Sequence, residues 1–141
     1  MSTALSLEET SDFRPRFDGS GLLPVIAQHE ATGEVLMLAY MNAEALRLTL
    51  DTGEAHYWSR SRARIWRKGE TSGEIQEVME LKVDCDQDAL LMTVRLKGTG
   101  VACHTGRRSC FYRSLAGNTL RFAKITDLAF VPGARAETGR R

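Results

Sequence analysis

The chain has 141 residues, 43% of them hydrophobic and 26% charged, with a formal net charge of +1. That length suits one domain with a real core, and the composition is that of a soluble globular protein. The near-neutral charge argues against bulk binding of nucleic acid or membrane, and no apolar run approaches the ~20 residues that cross a bilayer. The segment Met1 to Thr10 turns acidic where a signal peptide would be apolar, so the cytoplasm is the expected compartment.

Residues 1–20 are polar with little periodicity and are expected to pack loosely. Leu22 to Gln28 reads as a short strand with Pro24 at its edge or start. After a turn at Thr32-Gly33, Glu34 to Tyr40 is a second apolar run of strand length. Asn42 is placed to cap a helix over Ala43 to Thr52, with Gly53 ending it and Leu46 and Leu50 giving it an apolar side. Ala55 to Ser59 is a predicted strand leading into a basic stretch.

From Met79 the pattern alternates, with Met79, Leu81 and Val83 apolar and Glu80, Lys82 and Asp84 polar, as in a half-buried strand. The same period puts Cys85 in phase with the apolar face and Asp86 and Asp88 with the polar one. Ala89 to Leu96 and the short Phe111 to Arg113 complete the predicted strands, and the tail Pro132 to Arg141 is expected to be disordered. The expected fold is α+β: a single domain over 1–141 with few helices and mostly antiparallel strands, its core at about 22–113 and its termini flexible.

Asp84, Asp86 and Asp88 would project to one side of an extended segment, with neighbours about 7 Å apart. Such a row of like charges raises at least one pKa unless a cation sits among them. An all-oxygen set suits magnesium or calcium, against the plain alternative of a solvated acidic turn. The Gly and the closing Glu of an EF-hand loop are missing.

All three cysteines, Cys85, Cys103 and Cys110, lie between Asp84 and Cys110. Three cannot all pair within one chain, and in a reducing compartment they read as thiols or metal ligands. Cys103 and Cys110 do not have the spacing of a structural zinc knuckle. Three thiolates with an open fourth position would make a catalytic zinc geometry. Thiolate donation weakens the acidity of such a zinc, so a base or second cation is needed, and His104 stands beside Cys103.

Five cationic side chains fall between Arg60 and Lys68, among hydroxyl residues and near Trp58 and Trp66. Guanidinium forks, hydroxyls and Gly backbone suit phosphate oxygens, and tryptophan can stack on a purine. Trp58, Ser59, Arg60, Arg62, Lys68, Gly69 and Ser72 are the candidate contacts to a small phosphorylated nucleotide. Two alternatives stay open: a metal-stabilised RNA-binding module using the Arg60–Lys68 patch, and a redox-sensing pair at Cys103 and Cys110.

With these residues in place, the chain resembles the phosphoribosyl-AMP cyclohydrolase family of histidine biosynthesis. The resemblance runs from about Leu22 to Arg113 and is carried by EVLMLAYMN at 34–42, HYWSRSR at 56–62, WRKGETSG at 66–73, DCDQDALL at 84–91 and ACHTGRRSCFYR at 102–113. Glu74 stands where the resemblance leads one to expect Asn, a difference bearing on substrate contacts. The length is that expected of the monofunctional form, without a fused pyrophosphohydrolase domain.

The resemblance implies a homodimer with zinc held across the interface by Cys85 of one chain and Cys103 and Cys110 of the other. It implies magnesium at Asp84, Asp86 and Asp88. The implied reaction adds water to C6 of the adenine ring of N1-(5-phosphoribosyl)-AMP and opens the N1–C6 bond to the formimino ribotide intermediate. His104 is the candidate catalytic base or proton shuttle. No nucleic-acid or membrane partner is implied.

Overall fold

A computed structural model describes residues 6–123. Strand β1, Leu23–His29, lies inside a four-stranded sheet between β2, Val35–Met41, and β6, Leu90–Leu96. The outer strand beyond β6 is β5, Gln76–Val83. β1 pairs antiparallel with β2 and parallel with β6, and β5 pairs antiparallel with β6. Pro24 pairs with Tyr40 of β2, while the β6 ladder begins one residue later at Val25, so the missing N–H falls at the strand start.

The sheet buries one face. Leu23, Val25 and Ala27 of β1 and Met92 and Val94 of β6 are fully buried at alternating positions, packed with Leu36, Met41 and Ala45. Each such large aliphatic side chain contributes about 1.5–3 kcal/mol of transfer free energy. The buried Tyr57 hydroxyl donates to Gln76 Oε1 at 2.6 Å, and Gln76 Nε2 donates to Met37 Sδ at 3.3 Å. These bonds satisfy polar groups that would otherwise destabilise the core.

Helix α1 covers Ala43–Thr52 as its caps require: Asn42 Oδ1 accepts from Ala45 N at 2.8 Å, and Gly53 turns left-handed at φ 75°. Its buried residues are Ala45, Leu46 and Thr49, whereas Leu50 is 56% exposed. The apolar side is therefore narrower than the Leu46–Leu50 spacing predicts. Buried Thr49 holds the helix to the next strand, accepting from His56 N at 2.9 Å.

Two hairpins complete the described fold, which is α+β with one helix and mostly antiparallel strands. β3, His56–Ser59, pairs with β4, Arg64–Arg67, and β7, Arg113–Ala116, pairs with β8, Thr119–Phe122. β4 lies within the predicted basic loop, because Trp66 pairs with Tyr57 across the hairpin, their ring centroids 5.3 Å apart. Phe111 and Tyr112 precede β7 rather than forming a strand with Arg113. In β5 the register shifts between Val78 and Glu80, leaving Met79 as the extra residue and 42% exposed. Val78 and Leu81 then share the inner face.

The N-terminal arm is irregular but not loose. Buried Gln87 donates from Nε2 to Leu7 O and Asp12 O at 3.2 Å each, and its Oε1 accepts from Arg14 N at 2.7 Å. The predicted disordered tail at 132–141 lies outside the described residues. Among the described residues, no helix is long and apolar enough to cross a membrane.

Candidate active site

The β3–β4 hairpin and residues 68–72 that follow it wall a cleft of about 550 Å³. Ser59, Arg62, Lys68, Gly69, Ser72 and His104 all line it. Six predicted site residues, drawn from three separate motifs, therefore meet at one opening. Trp58 and Arg60 do not: they line an adjoining pocket of about 610 Å³ with Leu38 and Tyr40, and Ser59 borders both. The Arg60 guanidinium lies 4.1 Å from the Tyr40 ring centroid, a cation–π distance.

The five cations of this block divide by partner. Arg64 pairs with Glu70 at 3.0 Å and Arg67 with Glu54 at 2.9 Å. Arg60 stacks on Tyr40, while Arg62 and Lys68 line the cleft and make no salt bridge among the described residues. Gly69 is required where it stands. Its φ is +85°, and a Cβ there would lie 2.4 Å from the Glu74 carbonyl carbon.

The Cys103 loop folds back on itself beside this cleft. Ala102 N donates to Arg108 O and Cys103 N to Arg107 O, both at 3.1 Å. The return limb docks on β2, where Ser109 Oγ donates to Val35 O at 2.8 Å and Cys110 N to Leu36 O at 2.7 Å. Buried Arg108 pairs with Glu34, an anchor not singled out from the sequence. Two consecutive arginines beside metal-type cysteines look like anion binders, and only the tertiary fold shows one of them facing Glu34.

Cys103 and Cys110 lie close enough to act on each other electrostatically, with Lys68 beside them. Cys110 presents surface to solvent, yet burial of its thiol first and the adjacent Cys103 second push its pKa up to about 11, against the opposing pull of Lys68. Burial also lowers the pKa of Lys68, a shift the two cysteines and Glu74 oppose. Thr105 Oγ1 donates to Cys103 Sγ at 3.1 Å. A divalent cation would supply the charge that turns this pair into thiolates, so the donor set fits a soft metal. It offers two sulfurs. Cys85 is exposed, and it does not join them in a three-ligand group within the chain.

Asp84, Asp86 and Asp88 form the one group of three ligating side chains among the described residues, with ligand atoms within 4.8 Å of one another. The spacing is tighter than in the predicted extended row because the segment is a turn. Asp84 Oδ1 accepts from Asp88 N at 3.0 Å and Ala89 N at 3.1 Å, and Gln87 is left-handed at φ 61°. Burial opposes ionisation of Asp84, but hydrogen bonds from Asp88, Ala89 and Asp86 outweigh it and hold its carboxyl below the usual range. The hydrogen bond with Asp86 first, and burial second, hold Asp88 above that range. Crowded carboxylates that resist joint ionisation fit a hard divalent cation.

Glu74 is absent from the cleft lining; its carboxylate faces Thr99 and Val101 instead. The difference at this position therefore bears on the Cys103 loop rather than on the cleft.

A small α+β domain with a cation-lined cleft, a histidine at the cleft and a thiol pair beside it has the layout of an enzyme for a small anionic substrate. The family model described as phosphoribosyl-AMP cyclohydrolase matches residues 37–112. The chain is 62% identical over 120 residues to the phosphoribosyl-AMP cyclohydrolase of Hyphomonas neptunium, covering 85% of this chain and 90% of that protein. It is 61% identical over 110 residues to that of Brucella anthropi, covering 78% of each, and 56% identical over 124 residues to that of Brucella canis, covering 86% and 89%. The chain belongs to the phosphoribosyl-AMP cyclohydrolase family and is an enzyme.

Proposed function

We propose that the chain is a metal-dependent hydrolase of histidine biosynthesis that opens the N1–C6 bond of N1-(5-phosphoribosyl)-AMP in the cytoplasm. The observation that carries this reading is the convergence of Arg62, Lys68, Ser59, Ser72 and His104 on one cleft. Arg62 and Lys68 hold phosphate oxygens, with Ser59, Ser72 and the Gly69 backbone completing the hydrogen bonds. Trp58 and Arg60, reached over Ser59, extend the contact surface toward the far end of the nucleotide.

Cys85, Cys103 and Cys110 would hold zinc, which when bound supplies Lewis acidity and a lowered water pKa. His104 takes a proton from the attacking water as its oxygen bonds to C6. That oxygen becomes the carboxamide oxygen as its remaining proton passes to solvent, while the C6–N1 bond breaks and N1 of the cationic ring takes the proton held by His104. Asp84, Asp86 and Asp88 would hold magnesium. Because exposed Cys85 stands apart from the other two thiols, the zinc site is proposed to form across a homodimer.

An RNA-binding patch is the weaker reading, since Glu70 and Glu54 neutralise two of its cations. The deciding experiment is turnover of N1-(5-phosphoribosyl)-AMP, with zinc measured in the same sample. Ring opening that depends on about one zinc per chain is expected. Full activity after zinc removal would end the metal reading, and no turnover with zinc bound would end the substrate reading.

A further inference from the structure

We propose that Glu74 is a positioning residue that clamps the limb carrying Cys103 to the loop that walls the cleft. What the thiols do follows the functional reading above; what Glu74 does rests on hydrogen bonds and close approaches. Its Oε1 accepts from Thr99 N at 3.0 Å and Val101 N at 3.4 Å, and its Oε2 accepts from Thr99 Oγ1 at 2.6 Å. A carboxylate has acceptor sites for all three donors at once.

The chain between β6 and Cys103 relies on this clamp. Lys97 N donates to Ile75 O at 2.9 Å, and Ala102 N donates to Arg108 O at 3.1 Å. Between those anchors, the N–H groups of Thr99 and Val101 both go to Glu74. Gly98, at φ +81°, lies so close beneath that a Cβ would stand 2.7 Å from Gly73 O and 2.9 Å from Glu74 Oε1. On the cleft side, the Glu74 backbone is packed on Gly69, and Gly73 N donates to Gly69 O at 2.8 Å. One side chain thus joins the substrate loop to the turn that delivers Val101, Ala102 and Cys103 into buried positions. Neighbours that hold a metal ligand in place govern affinity without touching the metal.

The test compares Glu74→Ala with Glu74→Gln in the full-length protein. Gln keeps one oxygen for the backbone donors and an amide that can donate to the Thr99 hydroxyl. In reduced, metal-free protein, Glu74→Ala should speed alkylation of Cys103 while leaving that of exposed Cys85 unchanged. Its zinc affinity, read by chelator competition, should fall about 10–100-fold, with Glu74→Gln close to the parent. Parental Cys103 alkylation in Glu74→Ala, or Glu74→Gln behaving like Glu74→Ala, would overturn the proposal. If Glu74→Ala does not fold, Thr99→Val removes the hydroxyl bond alone, and Cys103 alkylation must rise or the clamp is refuted. A parent protein that bound no zinc would sink the functional reading, while the alkylation comparison would still decide the role of Glu74.

Discussion

The side chain of Cys110 lies next to that of Cys103, and Lys68 of the cleft loop lies beside the pair. A cation from the cleft and two thiols from a separate loop thus share one electrostatic neighbourhood. Lys68 is suited to hold a substrate oxyanion next to the thiols, and anything bound at the thiols alters the field that Lys68 feels.

The pair should announce its state through reactivity. The thiolate is the nucleophile, and burial with Cys103 pushes Cys110 up to about 11, so the metal-free protein should hold Cys110 as the thiol at neutral pH. Its alkylation rate should climb as pH rises from neutrality toward that value, lagging behind an ordinary cysteine. Adding zinc at neutral pH should suppress alkylation of Cys103 and Cys110 together. A flat pH profile, or zinc that protects neither, would contradict this arrangement.

Binding and chemistry should separate within the cleft. Arg62→Ala and Lys68→Ala should chiefly raise KM, each lost charge-assisted contact costing on the order of 1.5–3 kcal/mol. His104→Ala should lower kcat by about 10²–10⁴-fold with little change in KM. Zinc must be measured in the His104→Ala protein, because His104 adjoins Cys103. Normal turnover with zinc bound would remove His104 from the mechanism.

Local chemistry decides which elements were readable from sequence. Asn42 and Gly53 bracket the helix through bonds within a few residues, so its ends are legible. The Arg64–Arg67 strand is not, because its charge suggests a loop and only the distant Tyr57 pairing makes it a strand. The row of Asp84, Asp86 and Asp88 marks the acidic group, but its turn depends on left-handed Gln87, whose side chain is satisfied by residues some eighty positions away. The motifs name the cleft residues; that Trp58 and Arg60 face another pocket depends on the hairpin, and the bonds of Glu74 depend on a turn 25 residues on.

Gln87 should set the magnesium requirement. Gln87→Gly keeps the left-handed backbone without strain but removes three hydrogen bonds to the N-terminal arm, each worth about 0.5–1.5 kcal/mol. Trypsin should then cut faster after Arg16. The magnesium concentration for half-maximal activity should rise about tenfold, with kcat at saturating magnesium preserved. Faster cutting with an unchanged magnesium requirement would show that the arm does not brace the acidic turn.

Assembly provides the last prediction. Within one chain, exposed Cys85 does not join Cys103 and Cys110 in a three-ligand group, and the proposed three-sulfur site draws Cys85 from a second chain. Cys85→Ser and Cys103→Ser subunits should each be inactive alone. Mixed and allowed to exchange, the chain lacking Cys85 supplies Cys103 and Cys110, and its partner supplies Cys85. Each mixed dimer then carries one complete site and one that lacks two of its three sulfurs. Activity should return to about a quarter of the parent value in a random equal mixture, since half the dimers are mixed and each has half its sites. Zinc retention should rise in parallel, read on the same sample. Subunit exchange proven by mass spectrometry with no recovery of zinc or activity would mean that the three cysteines do not serve one shared site.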